Sequence, residues 1–205
     1  VEADNLATGG ALRFAGESEI GGNDSTDVSI ATGQADVSVE MTSEANTTLG
    51  DINGAADGTL TVDSSSSDGA NQNEVTDASN TTLNDGATLE ITGNEDLSFG
   101  REATNDGLDF SANTTDNQSY TIDASAFSGD LEIAVDALNL NGTSSTSPSE
   151  ADSLTVAYGS GETDFAVSNN SNTATESVIT HQFTSEAEGD VLIQEGNTTG
   201  DGAFV

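Results

Sequence analysis

The chain of 205 residues has no cysteine, no tryptophan and no lysine, and it carries a single proline, a single histidine and two arginines. Each absence excludes something. Without cysteine there is no disulfide framework and no thiolate metal site. With two basic residues against 37 acidic ones, the formal net charge is -35. Nucleic acid is excluded as a partner, because binding it requires Lys and Arg to neutralise phosphates. An anionic membrane surface repels such a chain for the same reason. No hydrophobic run approaches the ~18 residues of a membrane-crossing helix, so no transmembrane segment is expected. Val1 in place of Met reads as a processed chain or a fragment, which leaves room for a removed export signal.

What is present is acidic, small and polar. Apolar residues make up 33% of the chain and aromatics 4%, less than an ordinary globular domain uses. A core must therefore be thin and spread along the chain, filled by Val, Ile, Leu and Ala. Self-repulsion at this charge opposes a compact state. Salt screens it and divalent cations neutralise it locally, so cations are the natural partners.

Ser, Thr, Asn, Asp and Gly favour turns, caps and strands over helix interiors. Thirteen short alternating runs read as strands, at 11–15, 27–31, 35–41, 58–63, 87–93, 96–100, 107–112, 119–124, 129–135, 153–158, 163–168, 177–183 and 189–194. In a run such as Thr59–Val62, Leu60 and Val62 face one way and Thr59 and Thr61 the other. The expected fold is all-β: a β-sandwich or jelly-roll-like body of many short strands, or alternatively an irregular β-helix or solenoid. One domain spanning 1–205 is expected, with weak boundaries at the polar segments 64–73 and 141–149. Residues 87–100 and 119–135 share a plan: an alternating strand, a small-residue corner, then a second strand opening with Asp-Leu. In the second copy Ile122, Leu131 and Ile133 are expected to point inward, with Phe127 plugging the corner.

On TIDASAFSGDLEI (121–133) and LEITGNEDLSF (89–99), the chain resembles the repeated β-rich segments of bacterial surface-layer and RTX-type secreted proteins, mainly over residues 55–140. The resemblance implies an extracellular, calcium-dependent lattice or matrix protein. The family's calcium nonapeptide is approached by GGNDSTDVSI (21–30), where Gly21, Gly22 and Asp24 match in part and Val28 takes the inward position. Asp24 stands where a glycine is expected, and no tandem copy follows.

Calcium takes six to eight oxygen ligands. Turn clusters that offer them are Asn23/Asp24/Asp27, Asp51/Asn53/Asp57, Asn94/Glu95/Asp96, Asn105/Asp106/Asp109 and Glu188/Asp190, with Asp123 and Asp130 beside the corner at 124–129. The metal-ligand candidates are thus Asp24, Asp27, Asp51, Asp57, Asp96, Asp106, Asp109, Asp123, Asp130 and Asp190. The bland reading of each is a solvated acidic turn, and none has the EF-hand spacing.

Enzyme motifs are missing: HExxH, GxSxG and a lysine-bearing phosphate loop do not occur. His181 has no partner histidine or cysteine in sequence and reads as strand surface or edge packing. Paired carboxylates could serve glycoside hydrolysis, but a sugar cleft also wants aromatic platforms, so no catalytic residues are expected. Eight Asn-X-Ser/Thr sequons occur, at Asn23, Asn46, Asn80, Asn113, Asn117, Asn141, Asn169 and Asn197. They are glycosylation acceptors in an exported chain, or chance products of a composition rich in Asn, Ser and Thr. The apolar tip DGAFV (201–205) and the strand at 11–15 suggest terminal strand exchange between copies.

Two functions follow as expectations. The first is a structural subunit of an extracellular surface layer or filament, self-assembling with help from calcium. The second is an exported adhesin or spike module that binds a surface glycan.

Overall fold

The computed structural model describes residues 3–14, 27–30, 36–42, 46–67, 71–100, 107–110, 118–136, 153–168, 178–183, 191–195 and 203–204. Asp24, Asp106, Asp190 and the 141–149 segment lie outside these residues. So do six of the eight sequon asparagines.

The protein is all-β. Among the described residues eighteen strands run in chain order: β1 (Ala3–Leu6), β2 (Ala11–Phe14), β3 (Asp27–Ile30), β4 (Val37–Met41), β5 (Thr48–Ala56), β6 (Thr59–Ser64), β7 (Gln72–Asp77), β8 (Thr81–Leu83), β9 (Thr88–Gly93), β10 (Asp96–Phe99), β11 (Asp109–Phe110), β12 (Ser119–Asp123), β13 (Leu131–Asp136), β14 (Ser153–Tyr158), β15 (Thr163–Ser168), β16 (Val178–Phe183), β17 (Val191–Glu195) and β18 (Ala203–Phe204). Every run expected to be a strand contains one. Five strands were not foreseen: β1, β5, β7, β8 and β18. β7 begins inside the segment expected to be structureless, since QNEVTD presents one strong apolar residue, Val75, and shows little alternation.

All described strand pairs are parallel. One sheet has the order β1-β3-β5-β7-β10-β13-β15-β17, and the other β2-β4-β6-β9-β12-β14-β16-β18. Apart from β8 and β11, successive strands belong alternately to the two sheets, and each pair of successive strands, one from each sheet, is called a rung below. In the middle rungs β8 and β11 add a short third ladder, with Gly54–Ala56 of β5 pairing to β8 and β8 to β11.

Register is what turns this weakly apolar sequence into a core. In one sheet Val37, Leu60, Leu89, Ile122 and Val156 stack in a single row, all buried. In the other Leu49, Val75, Phe99, Ile133 and Phe165 do the same. These rows belong to one continuous hydrophobic cluster. Each buried Leu, Ile or Phe contributes roughly 1.5–3 kcal/mol, and each is packed against its counterpart one rung away. Tyr158 and Phe165 join the two sheets edge-to-face, with centroids 6.4 Å apart, and burial pushes the Tyr158 hydroxyl well above its ordinary range. The outward alternates form rows too, among them Thr59, Thr88, Thr121 and Thr155.

The two matching segments of sequence are successive rungs: Leu89 pairs with Ile122, and Leu97 and Phe99 pair with Leu131 and Ile133. Ile122, Leu131, Ile133 and Phe127 are all buried. Corners between the sheets are tight. Gly93 has φ 119°, and a Cβ there would collide with the Ser64 carbonyl of the preceding rung.

Candidate functional site: acidic rows at the corners

Parallel sheets leave backbone N–H groups unpaired where a strand gives way to a corner. Here Asp and Asn side chains supply the missing acceptors, reaching from one rung to the next. Asp36 Oδ1 accepts from Thr59 N at 3.2 Å, and Asp85 Oδ1 from Ser119 N at 3.0 Å. On the other side, Asn46 Oδ1 accepts from Gln72 N at 3.1 Å. Asp96 Oδ1 accepts from Asp130 N, and Asp130 Oδ1 from Glu162 N, both at 3.0 Å. Asp36 adopts φ 56° to do this, a left-handed conformation that Asp tolerates better than most residues.

One acidic surface lies where β10, β13 and β15 of the first sheet begin. Asp96, Asp130 and Glu162 occupy one row, and Glu132 and Asp164 the outward row two residues on. These five carboxylates line a shallow open groove of about 270 Å³, beside Leu97, Leu131 and Thr163. Ser98 Oγ donates to Glu132 Oε2 at 3.2 Å. A second acidic row is set by register, in which Asp27 pairs with Asp51 and Asp51 with Asp77.

In the two sequence-local clusters that lie wholly within the described residues, Asp51/Asn53/Asp57 and Asn94/Glu95/Asp96, the acidic side chains take different partners. Asp51 is nearly buried and accepts from Asn80 Nδ2 at 2.8 Å, whereas Asp57 is exposed and accepts from Asn84 Nδ2. In the Asn94/Glu95/Asp96 turn the three side chains separate. Asn94 Oδ1 accepts from Ser66 N at 3.2 Å, Asp96 holds the next rung, and Glu95 is fully buried. The Glu95 carboxylate accepts from Ser66 Oγ and Asn71 N, tying both ends of the segment between β6 and β7. Asp109 accepts from Phe110 N at 2.8 Å. Asp123 accepts from Ser125 N at 3.0 Å and Ser125 Oγ at 2.6 Å, an Asx turn closing its own corner.

Among the described residues, no group of three or more His, Cys, Asp or Glu side chains is placed to hold a metal ion. The carboxylates stand in rows at the strand spacing of ~4.7–4.9 Å, and those of Asp96, Asp130 and Glu132 already accept hydrogen bonds from the protein. His181 is in register with Val156 of β14.

Sequence reasoning missed Asp77, Glu90, Glu132, Glu162 and Asp164. A usable signal existed for Glu162: ETDFAV (162–167) is a third copy of the acid-plus-strand pattern in DLSF and DLEI. No known protein family model, curated protein or solved structure matches the chain.

Proposed function

We propose that the chain is a β-solenoid scaffold, a structural element of an extracellular surface layer or filament, with cations neutralising its acidic rows. One observation carries this reading. Apart from β8 and β11, consecutive strands alternate between two sheets, every described pair is parallel, and like residues stack in register from rung to rung. Sandwiches and jelly rolls joined by hairpins and Greek keys pair their strands antiparallel. A chain that keeps every described pair parallel while alternating sheets is winding. Such a body is quasi-one-dimensional: it gains length by adding rungs and offers long, regular faces.

The corner geometry supports a load-bearing role over a catalytic one. Asp36, Asp85, Asp96 and Asp130 spend an oxygen holding the next rung, which fixes register instead of preparing a reacting group. Their outward charge makes neighbouring copies repel until cations intervene. Calcium suits this role because its flexible coordination can be completed by carboxylates from two surfaces.

The test is sedimentation of the purified chain with and without calcium, read beside electron micrographs. Assembly into fibres or sheets on calcium addition, reversed by a chelator, is expected. A chain that stays monomeric in both conditions overturns the assembly reading. A monomer that instead binds a surface glycan through one face supports an adhesin.

A further inference from the structure

We infer that Asn46 and Asn80 are N-glycosylation sites, carrying sugar chains on the outer edge of consecutive rungs. The inference rests on the extracellular reading, since export is what brings a chain to glycosyl donors.

Both asparagines head the same tripeptide, Asn-Thr-Thr, and both stand at a corner just before a strand. The two-residue alternation of the strand then divides the tripeptide in the same way twice. The middle threonines, Thr47 and Thr81, are turned inward and fully buried, while Asn46 and Asn80 are exposed and Thr48 and Thr82 half-exposed. Asparagine and the hydroxyl two residues on, the two groups that define an acceptor sequon, thus share the outer side. The middle residue, which the sequon leaves unspecified, does the structural work: Thr81 Oγ1 donates to Ile52 O at 2.6 Å, and Thr47 N donates to Asn73 Oδ1 at 2.8 Å.

The carboxamides are held so that a glycan costs no contact. Asn46 uses its Oδ1, which accepts from Gln72 N, and glycosylation leaves that oxygen untouched. Asn80 uses one N–H of Nδ2 toward Asp51 Oδ2. In the transfer, Nδ2 forms a bond to the anomeric carbon of a phosphate-linked sugar donor. The bond from that carbon to the phosphate oxygen breaks, the phosphate leaves with the electron pair, and Nδ2 gives up one proton. The glycosylated amide keeps one N–H, a donor that can still serve Asp51 Oδ2. Asn73, by contrast, is buried with its whole carboxamide engaged, and it heads no sequon.

The experiment is peptide mapping by mass spectrometry of the full chain isolated from its own source, with cell fractionation alongside. Glycan mass on the Asn46 and Asn80 peptides is expected. In chains re-expressed in that source, Asn80→Gln and Thr82→Ala each lose the glycan at position 80 alone, whereas Thr82→Ser keeps it. Unmodified Asn46 and Asn80 in protein recovered outside the cell overturn the inference and leave the export reading standing. Protein recovered only from the cytoplasm, with both peptides unmodified, overturns the two together.

Discussion

Asn73 shows how much of this fold depends on single polar residues inside it. It occupies the row that continues as Leu97, Leu131 and Thr163, yet it is fully buried. Its Oδ1 accepts from Thr47 N, and its Nδ2 donates to Ser64 Oγ at 2.9 Å and to Met41 O at 3.3 Å. Ser64 Oγ passes the chain on to the Glu95 carbonyl at 3.1 Å. One side chain therefore links three rungs at a corner where the two sheets meet. Leucine matches its neighbours in shape but leaves the Thr47 N–H without an acceptor, and an unsatisfied buried group costs about 1–3 kcal/mol. Asn73→Leu is expected to lower unfolding free energy by about 2 kcal/mol in urea titrations. A loss below about 0.5 kcal/mol, within the usual range of a surface substitution, would show that the network is dispensable.

At the scale of the element, the strands were legible and the rungs were not. Period-two alternation marked Thr59–Ser64, Ser119–Asp123 and Ser153–Tyr158, because one apolar face is all a half-buried strand needs. β8, three residues long, and β5, whose GDING stretch has little alternation, carry no such signal. They are set by pairing to neighbours far away in sequence. The repeat was hidden for a related reason. Residues that meet across adjacent rungs are separated by as few as 23 positions and as many as 35, because corner loops vary while the stacked strands do not. The same variability hides the partners of the corner carboxylates: the partner lies one rung away, as with Asp96 and Asp130, 34 positions apart. Charge and hydrogen bonding can be separated at Asp130. Asn keeps the Oδ1 that receives Glu162 N and removes one charge from a row shared with Asp96 and Glu162. Two unit charges about 4 Å apart repel by about 1 kcal/mol in water, and less at an exposed site in salt. Asp130→Asn is expected to raise the thermal midpoint in dilute buffer, with the gain fading as salt is added. Asp130→Ala, which also loses the acceptor, should be less stable than Asp130→Asn at every salt concentration. Equal midpoints for the two variants would rule out the clasp.

For the whole molecule, the rows convert a net charge of -35 into a specific physical requirement. Outward carboxylates recur from rung to rung, as in Glu90 with Asp123, Glu40 with Asp63, and Glu132 with Asp164. Arg13 stands 3.8 Å from Glu40, but with two basic residues against 37 acidic ones internal compensation is slight. Neighbours in a row are ~4.7–4.9 Å apart along the sheet. The screening length is ~10 Å at 0.1 M salt and ~3 Å at 1 M. Dilute salt therefore leaves each carboxylate coupled to both of its neighbours, and molar salt uncouples them. The unfolded chain spreads the same charges apart, so screening favours the folded state. The thermal midpoint, followed by circular dichroism, is expected to climb between ~0.1 M and ~1 M sodium chloride. Calcium compared with sodium at equal ionic strength separates two effects. Screening alone predicts matching midpoints for the isolated chain, while calcium should add particle growth in the same samples, because bridging between copies needs a divalent ion. A midpoint that does not move with sodium chloride would mean that the acidic rows carry no net strain. In that case the scaffold reading would have to stand on the parallel topology without them.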